Sequence, residues 1–151
     1  MEKKKLTELL AALGNVRRSI QTVQRDFGYR GENDITGITF SEGDPEELFL
    51  LDELNRVMNK LDETVGDINY LSRPIEETDR LVMSPAGRLG FPRSRFELTC
   101  GRGLEVLVDD GFYDGPRWMC GRIEHDGERY YFTGCKDMEL VGALARRRKA
   151  G

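Results

Sequence analysis

The chain has 151 residues, 38% hydrophobic and 33% charged, with a formal net charge of −4 and three cysteines. That length suits one medium domain or two small ones, the charge excludes a global basic footprint for nucleic acid, and no apolar run approaches the roughly 20 residues that span a bilayer. Cys100, Cys120 and Cys135 are odd in number and widely spaced, so no disulfide framework is expected and a reducing, cytoplasmic setting is the default. The charge is uneven: residues 1–72 carry 9 Lys and Arg against 14 Asp and Glu, whereas residues 73–151 carry 14 against 13.

The N-terminal MEKKKLTELLAALG begins basic but has no cleavage-like end, and it reads as a helix rather than a signal peptide. Leu6, Leu9, Leu13, Val16, Ile20, Val23 and Phe27 recur at alternating spacings of 3 and 4, which puts them on one helical stripe. Gly28 suits the left-handed position that ends a helix. A second start signal follows in SEGDPEE, with Asp44 as N-cap, Pro45 at the first helical position and Glu47 at the third. Leu51, Leu54, Met58, Leu61, Val65 and Ile68 repeat the stripe up to Arg73-Pro74, where the residue before proline leaves the helical region. Two helices with one apolar stripe each bury them most simply against each other, so residues 1–73 are expected to form an antiparallel, coiled-coil-like helical hairpin. The connection GYRGENDITGITFSEG is long for a hairpin, and ITGITF is expected as a short strand or as packing across its end. A single hairpin is thin, which points to a stripe shared with another chain or with the rest of this one.

From Arg80 onward the pattern turns to short alternating segments separated by glycine-rich turns: RLVMS, RFELTC, LEVLVD, RWMCGRIEH, ERYYFTG and LVGALARR. Five or six short strands in about 70 residues predict a small SH3-like β-barrel over 74–151, with an OB-like barrel as the second choice, closed by the last strand pairing with the first. The fold class is therefore α+β.

WMCGRIEHDGERYYF, residues 118–132, holds the only Trp and the only His. Asp126-Gly127 signals a type I′ turn, which sets His125 opposite Glu128, Glu124 opposite Arg129 and Arg122 opposite Tyr131. One face, with Met119, Gly121, Ile123, Tyr130 and Phe132, is expected to be core. His125 and Glu128 form a polar pair at its tip, with no nucleophile beside them, so no catalytic residue is assigned. The other face carries Trp118, Arg122, Arg129 and Tyr131, whose rings and guanidinium groups suit a peptide or stacked nucleobases. Arg146, Arg147, Arg148 and Lys149 would add phosphate contacts if the ligand were nucleic acid. Cys100, Cys120, His125 and Cys135 make a formal zinc set, but no C-x2-C pair exists and the register separates His125 from the cysteines, so neither metal nor cofactor is expected. CGRG and PAGRLG lack the features of a phosphate loop, and the spacing of Asp109, Asp110 and Asp114 is not that of a calcium loop, so the acidic cluster reads as a solvated turn.

The segments LTCGRGLEVL, W with RIEH, YYF and LVGALARRR resemble a small uncharacterised domain family of Gram-positive bacteria and their mobile elements, over about residues 80–148. The resemblance implies a domain of unknown function and no particular activity. Cys100 stands where a Ser or similar small residue is expected, so it implies no cysteine chemistry there. The expectation is a non-enzymatic, cytoplasmic interaction protein whose barrel face binds a protein or peptide and whose helices oligomerise or dock. The alternative is a nucleic-acid-binding accessory protein of a mobile element.

Overall fold

The computed structural model describes residues 1–150, which fall into two compact units meeting at Ser72–Arg73. Both helices lie in the first: α1 (Leu6–Asp26) and α2 (Pro45–Ser72). Neither is long and apolar enough to cross a membrane. The start of α1 is held by the Glu8 carboxylate, which accepts the Lys5 N–H at 2.7 Å. Its end is Phe27, followed by Gly28 at φ +67°. Asp44 caps α2, its side chain accepting the Glu46 N–H at 3.0 Å, and Glu47 reaches back to the Ser41 N–H at 2.9 Å.

Arg17 bonds Asn69 at 3.1 Å and Gln24 bonds Asp62 at 2.9 Å, so α1 and α2 run in opposite directions. The long connection begins with a small ladder of β1 (Tyr29–Gly31) and β2 (Asp34–Ile35). Asn59 of α2 ties it down, accepting from the Tyr29 hydroxyl at 3.1 Å and exchanging bonds with Asn33. The following turn is packed backbone to backbone against the end of α1. A Cβ on Gly37 would stand 2.7 Å from the Phe27 carbonyl, which only glycine permits.

The second unit holds β3 (Ile75–Arg80), β4 (Val82–Met83), β5 (Leu89–Gly90), β6 (Gly103–Val108), β7 (Arg117–His125), β8 (Tyr130–Phe132) and β9 (Leu144–Arg148). Five strands form one sheet in the order β3-β9-β6-β7-β8, and every pairing is antiparallel. Its core lies against one face, where Leu104, Val106, Ile123, Phe132 and Ala145 meet Leu81, Leu89, Phe91 and Leu98.

Three expectations need correction. The last strand does pair with the first of this unit, but it inserts between β3 and β6; β3 and β8 remain edges, and no ladder closes a barrel among the described residues. RFELTC forms only a single bridge, Gly90 to Glu97, because Arg95 adopts φ +58° and breaks the extended run. RLVMS supplies the short β4, while the true first strand is IEETDR, whose acidic residues match the arginines of β9 instead of an apolar core.

Candidate binding site

The β7–β8 hairpin shows why the predicted site is not assembled. Ile123 pairs with Phe132, Glu124 with Tyr131 and His125 with Tyr130, a register two residues from the expected one. The central residues of the turn are Gly127 and Glu128, and only Gly127 has positive φ, at +97°, the pattern of a type II′ turn. Asp126 enforces it by accepting the Glu128 and Arg129 N–H groups, both at 2.8 Å, which holds its carboxyl below the usual carboxylate range. An error of two preserves the sorting into faces, since side chains alternate with period two. It removes Glu128 from His125, however. His125 instead sets its ring edge-on to Tyr130 at 4.8 Å, and its Nδ1 accepts the Gly127 N–H at 3.0 Å.

On the opposite face Trp118 is not open. The Arg146 guanidinium lies over its ring at 4.3 Å and is itself held by Glu105 at 2.7 Å. Glu105 is only 3% exposed and also binds Arg148 at 2.6 Å. Arg122 is well exposed and reaches Glu124 at 3.8 Å. Glu124 accepts from the Cys100 thiol at 3.3 Å. Tyr131 is half-buried, and Arg129 donates to the Lys136 carbonyl at 3.1 Å. Trp118 and the Glu124–Tyr131 row are six residues apart along β7, about 20 Å in an extended strand. The four predicted residues are therefore strung along one face rather than gathered.

The basic segment expected as a tail is the strand β9. Arg147 pairs with Glu76 at 2.5 Å and Glu77 at 3.2 Å, while Arg146 and Arg148 share Glu105. The N–H of Lys149 bonds the Pro74 carbonyl at 2.9 Å. Phosphate contacts by these arginines would have to displace carboxylates already in place. Among the described residues, no three His, Cys, Asp or Glu side chains are placed to hold a metal ion, and none of the three cysteines forms a disulfide.

Two features of the second unit went unrecognised in the sequence. The loop after β6 projects Phe112 and Tyr113, 74% and 62% exposed and packed edge to face. Arg117 lies against both rings and grips Asp110 through two bonds of 2.9 and 3.0 Å. The Phe112 N–H and the Arg117 guanidinium hold the Asp110 carboxyl below its ordinary range. The acidic cluster thus stiffens a pair of exposed aromatics.

The second feature is a groove of about 390 Å³ between the β4–β5 hairpin and residues 91–97. Val82, Met83, Phe91 and Phe96 give it an apolar lining, with Arg88 and Arg95 beside them. Phe96 is held between the guanidinium groups of Arg147, at 4.1 Å from its centroid, and Arg102, at 4.9 Å. Ser94 fixes the turn, donating to Glu77 at 2.5 Å and accepting the Phe96 N–H at 3.1 Å. Arg88 reaches Glu97 at 3.6 Å. Arg95 has no hydrogen-bond or ion-pair partner among the described residues, and its backbone is left-handed. Its sequence signal was SPAGRLGFPRSRF, a segment with two prolines and three arginines, which reads as a loop until β4 and β5 fold it over Phe91.

No curated protein and no solved structure matches the chain. Residues 79–147, which include the groove, most of the sheet and the aromatic loop, match the model of the DUF5348 family, a domain of unknown function.

Proposed function

We propose that this chain is a non-enzymatic interaction protein of a reducing, cytoplasmic compartment, and that its second unit grips an acidic segment of a protein partner in the groove beside Arg95. The helices would form a hairpin serving oligomerisation or docking. The open sheet, with its first and last strands paired, is a variant of the SH3-like plan.

Arg95 carries this reading. A left-handed backbone at a non-glycine residue costs roughly 1–2 kcal/mol, and such strain concentrates where a side chain must be presented in a particular way. Here it presents an unpaired guanidinium beside an apolar groove whose volume falls in the range of ligand sites. A carboxylate next to an apolar or aromatic side chain satisfies both features. The lone imidazole, engaged with Gly127 and Tyr130, supports a non-enzymatic role. The paired arginines of β9 favour a protein over a nucleic acid as the partner.

The test is a titration of the full chain with labelled octapeptides carrying Glu, Gln or Lys beside a single Phe, followed by fluorescence anisotropy. The Glu peptide should bind at least tenfold more tightly than the Lys peptide, with affinity falling as salt rises. Arg95→Gly relieves the backbone strain, so the variant is expected to be about 1 kcal/mol more stable and yet to lose the preference for Glu. Equal binding of all three peptides, or an unchanged preference in Arg95→Gly, would sink the groove assignment.

A further inference from the structure

We infer that the helical unit pairs with a second copy of itself, forming a four-helix bundle in which α1 of each chain lies against α2 of the other. This rests on reading the helices as an assembly element, and it names the partner.

The first observation is a half-used seam. In α1, Leu13 is partly covered and Ile20 buried, and these face α2. Leu9, Val16 and Val23 repeat at the same seven-residue interval, three positions on, and are 57%, 47% and 42% exposed. In α2, Met58 and Val65 are buried, whereas Leu50, Leu54 and Val57 are 54%, 44% and 42% exposed. A helix in a hairpin needs one such row, but a helix in a four-helix bundle meets two neighbours and needs both. The uncovered rows converge on an apolar hollow of about 190 Å³ lined by Val23, Phe27, Ile35, Ile38, Leu54 and Met58. Contiguous exposed apolar surface of this kind marks an interface.

The second observation is charge. Residues 1–27 carry six Lys and Arg against three Asp and Glu, net +3; residues 28–72 carry three against eleven, net −8. A second copy placed with α1 against α2 puts opposite signs at every helix contact, and a two-fold axis supplies both new contacts at once. Antiparallel packing in the register of the hairpin, where Arg17 meets Asn69 and Gln24 meets Asp62, also brings Arg17, Arg18 and Arg25 level with Asp62, Glu63 and Asp67 of the partner's α2. Pairing α1 with α1 and α2 with α2 would set the acidic helices side by side. Unlike a partner of other origin, a second copy carries complementary seam and complementary charge together.

The full chain should run at twice its monomer mass by light scattering at 10–100 μM in low salt. Val16→Glu/Val23→Glu, which alters only exposed seam positions, should weaken association at least tenfold while helicity by circular dichroism stays unchanged. In a mixture of ¹⁴N- and ¹⁵N-labelled chains, carbodiimide should join Lys60 of one copy to Asp26 of the other, which the antiparallel register sets at the same height. A monomer at 100 μM, an association unaffected by the double substitution, or lysine–carboxylate links confined to single copies would overturn the bundle. A monomer that still prefers the Glu octapeptide would overturn the bundle alone and leave the groove assignment standing.

Discussion

At the residue scale, polar side chains here work chiefly by fixing backbone. Asp110 and Asp126 are exposed carboxylates whose titration is governed by the N–H groups they accept, reinforced at Asp110 by Arg117. Their folded values lie below the ordinary 3.8, so whatever each adds to local order is fully present above that value and is lost as pH falls through the lower, folded one. Acidification from pH 5 towards pH 2 should therefore release Arg117 from Asp110 and loosen the Phe112–Tyr113 pair before the sheet is affected. Carboxyl-carbon NMR should show Asp110 titrating with a midpoint below 3.8. In Arg117→Ala the midpoint should rise while staying depressed, because the Phe112 N–H remains the larger cause. A midpoint unmoved by Arg117→Ala would show that the two side chains do not hold each other in solution.

At the scale of elements, β9 is the keystone of the second unit, and it is built from charge. Its Ala145 enters the core, while Arg146 and Arg148 reach the opposite face and close over Glu105. Removing one partner from a buried ion pair typically costs about 3–5 kcal/mol. Glu105→Ala should fall near the lower end of that range, since Arg148 keeps the Arg73 carbonyl at 2.8 Å and Arg146 keeps the Trp118 ring. Glu105→Gln, which preserves shape and one acceptor, should cost less. Urea denaturation followed by Trp118 fluorescence reads this unit specifically, because the only tryptophan sits beneath Arg146. Equal stability of Glu105→Ala and the unaltered chain would mean that the cluster is held by the sheet rather than holding it.

The same cluster explains what the sequence could and could not disclose. The bounds of β7 and the cap and stop of α2 were legible because alternation, Asp44-Pro45 and Arg73-Pro74 are local signals. The strand IEETDR was not, since its warrant is a set of arginines about 70 residues away. Trp118 looked available for the same reason: nothing near it in sequence announces that Arg146 will cover it. The two-residue error of register came from assigning Asp126-Gly127, rather than Gly127-Glu128, to the centre of the turn, a choice decided by which N–H groups Asp126 accepts. The groove was hidden because its apolar residues come from RLVMS, RFELTC and the turn between them, which alternation assigns to barrel strands rather than to the walls of a groove.

At the scale of the whole molecule, the two units are stabilised by different means. The second buries a continuous core of eleven residues, whereas the first buries only Ile20, Met58, Val65 and Ile68 among 72 residues. Two helices with so small a core are marginal by themselves, since most helical stability in proteins comes from packing an apolar face. If a second copy supplies the missing surface, mass action links helix stability to concentration. Because α1 and α2 are the only helices among the described residues, ellipticity at 222 nm reports the first unit. Raising the chain from 1 to 100 μM should then move the midpoint of its thermal transition upward, by roughly 5–10 °C for a unit of this size. In Val16→Glu/Val23→Glu the midpoint should be lower and should no longer depend on concentration. A midpoint constant across that range in the unaltered chain would mean that each hairpin stands alone, with its second seam left to water.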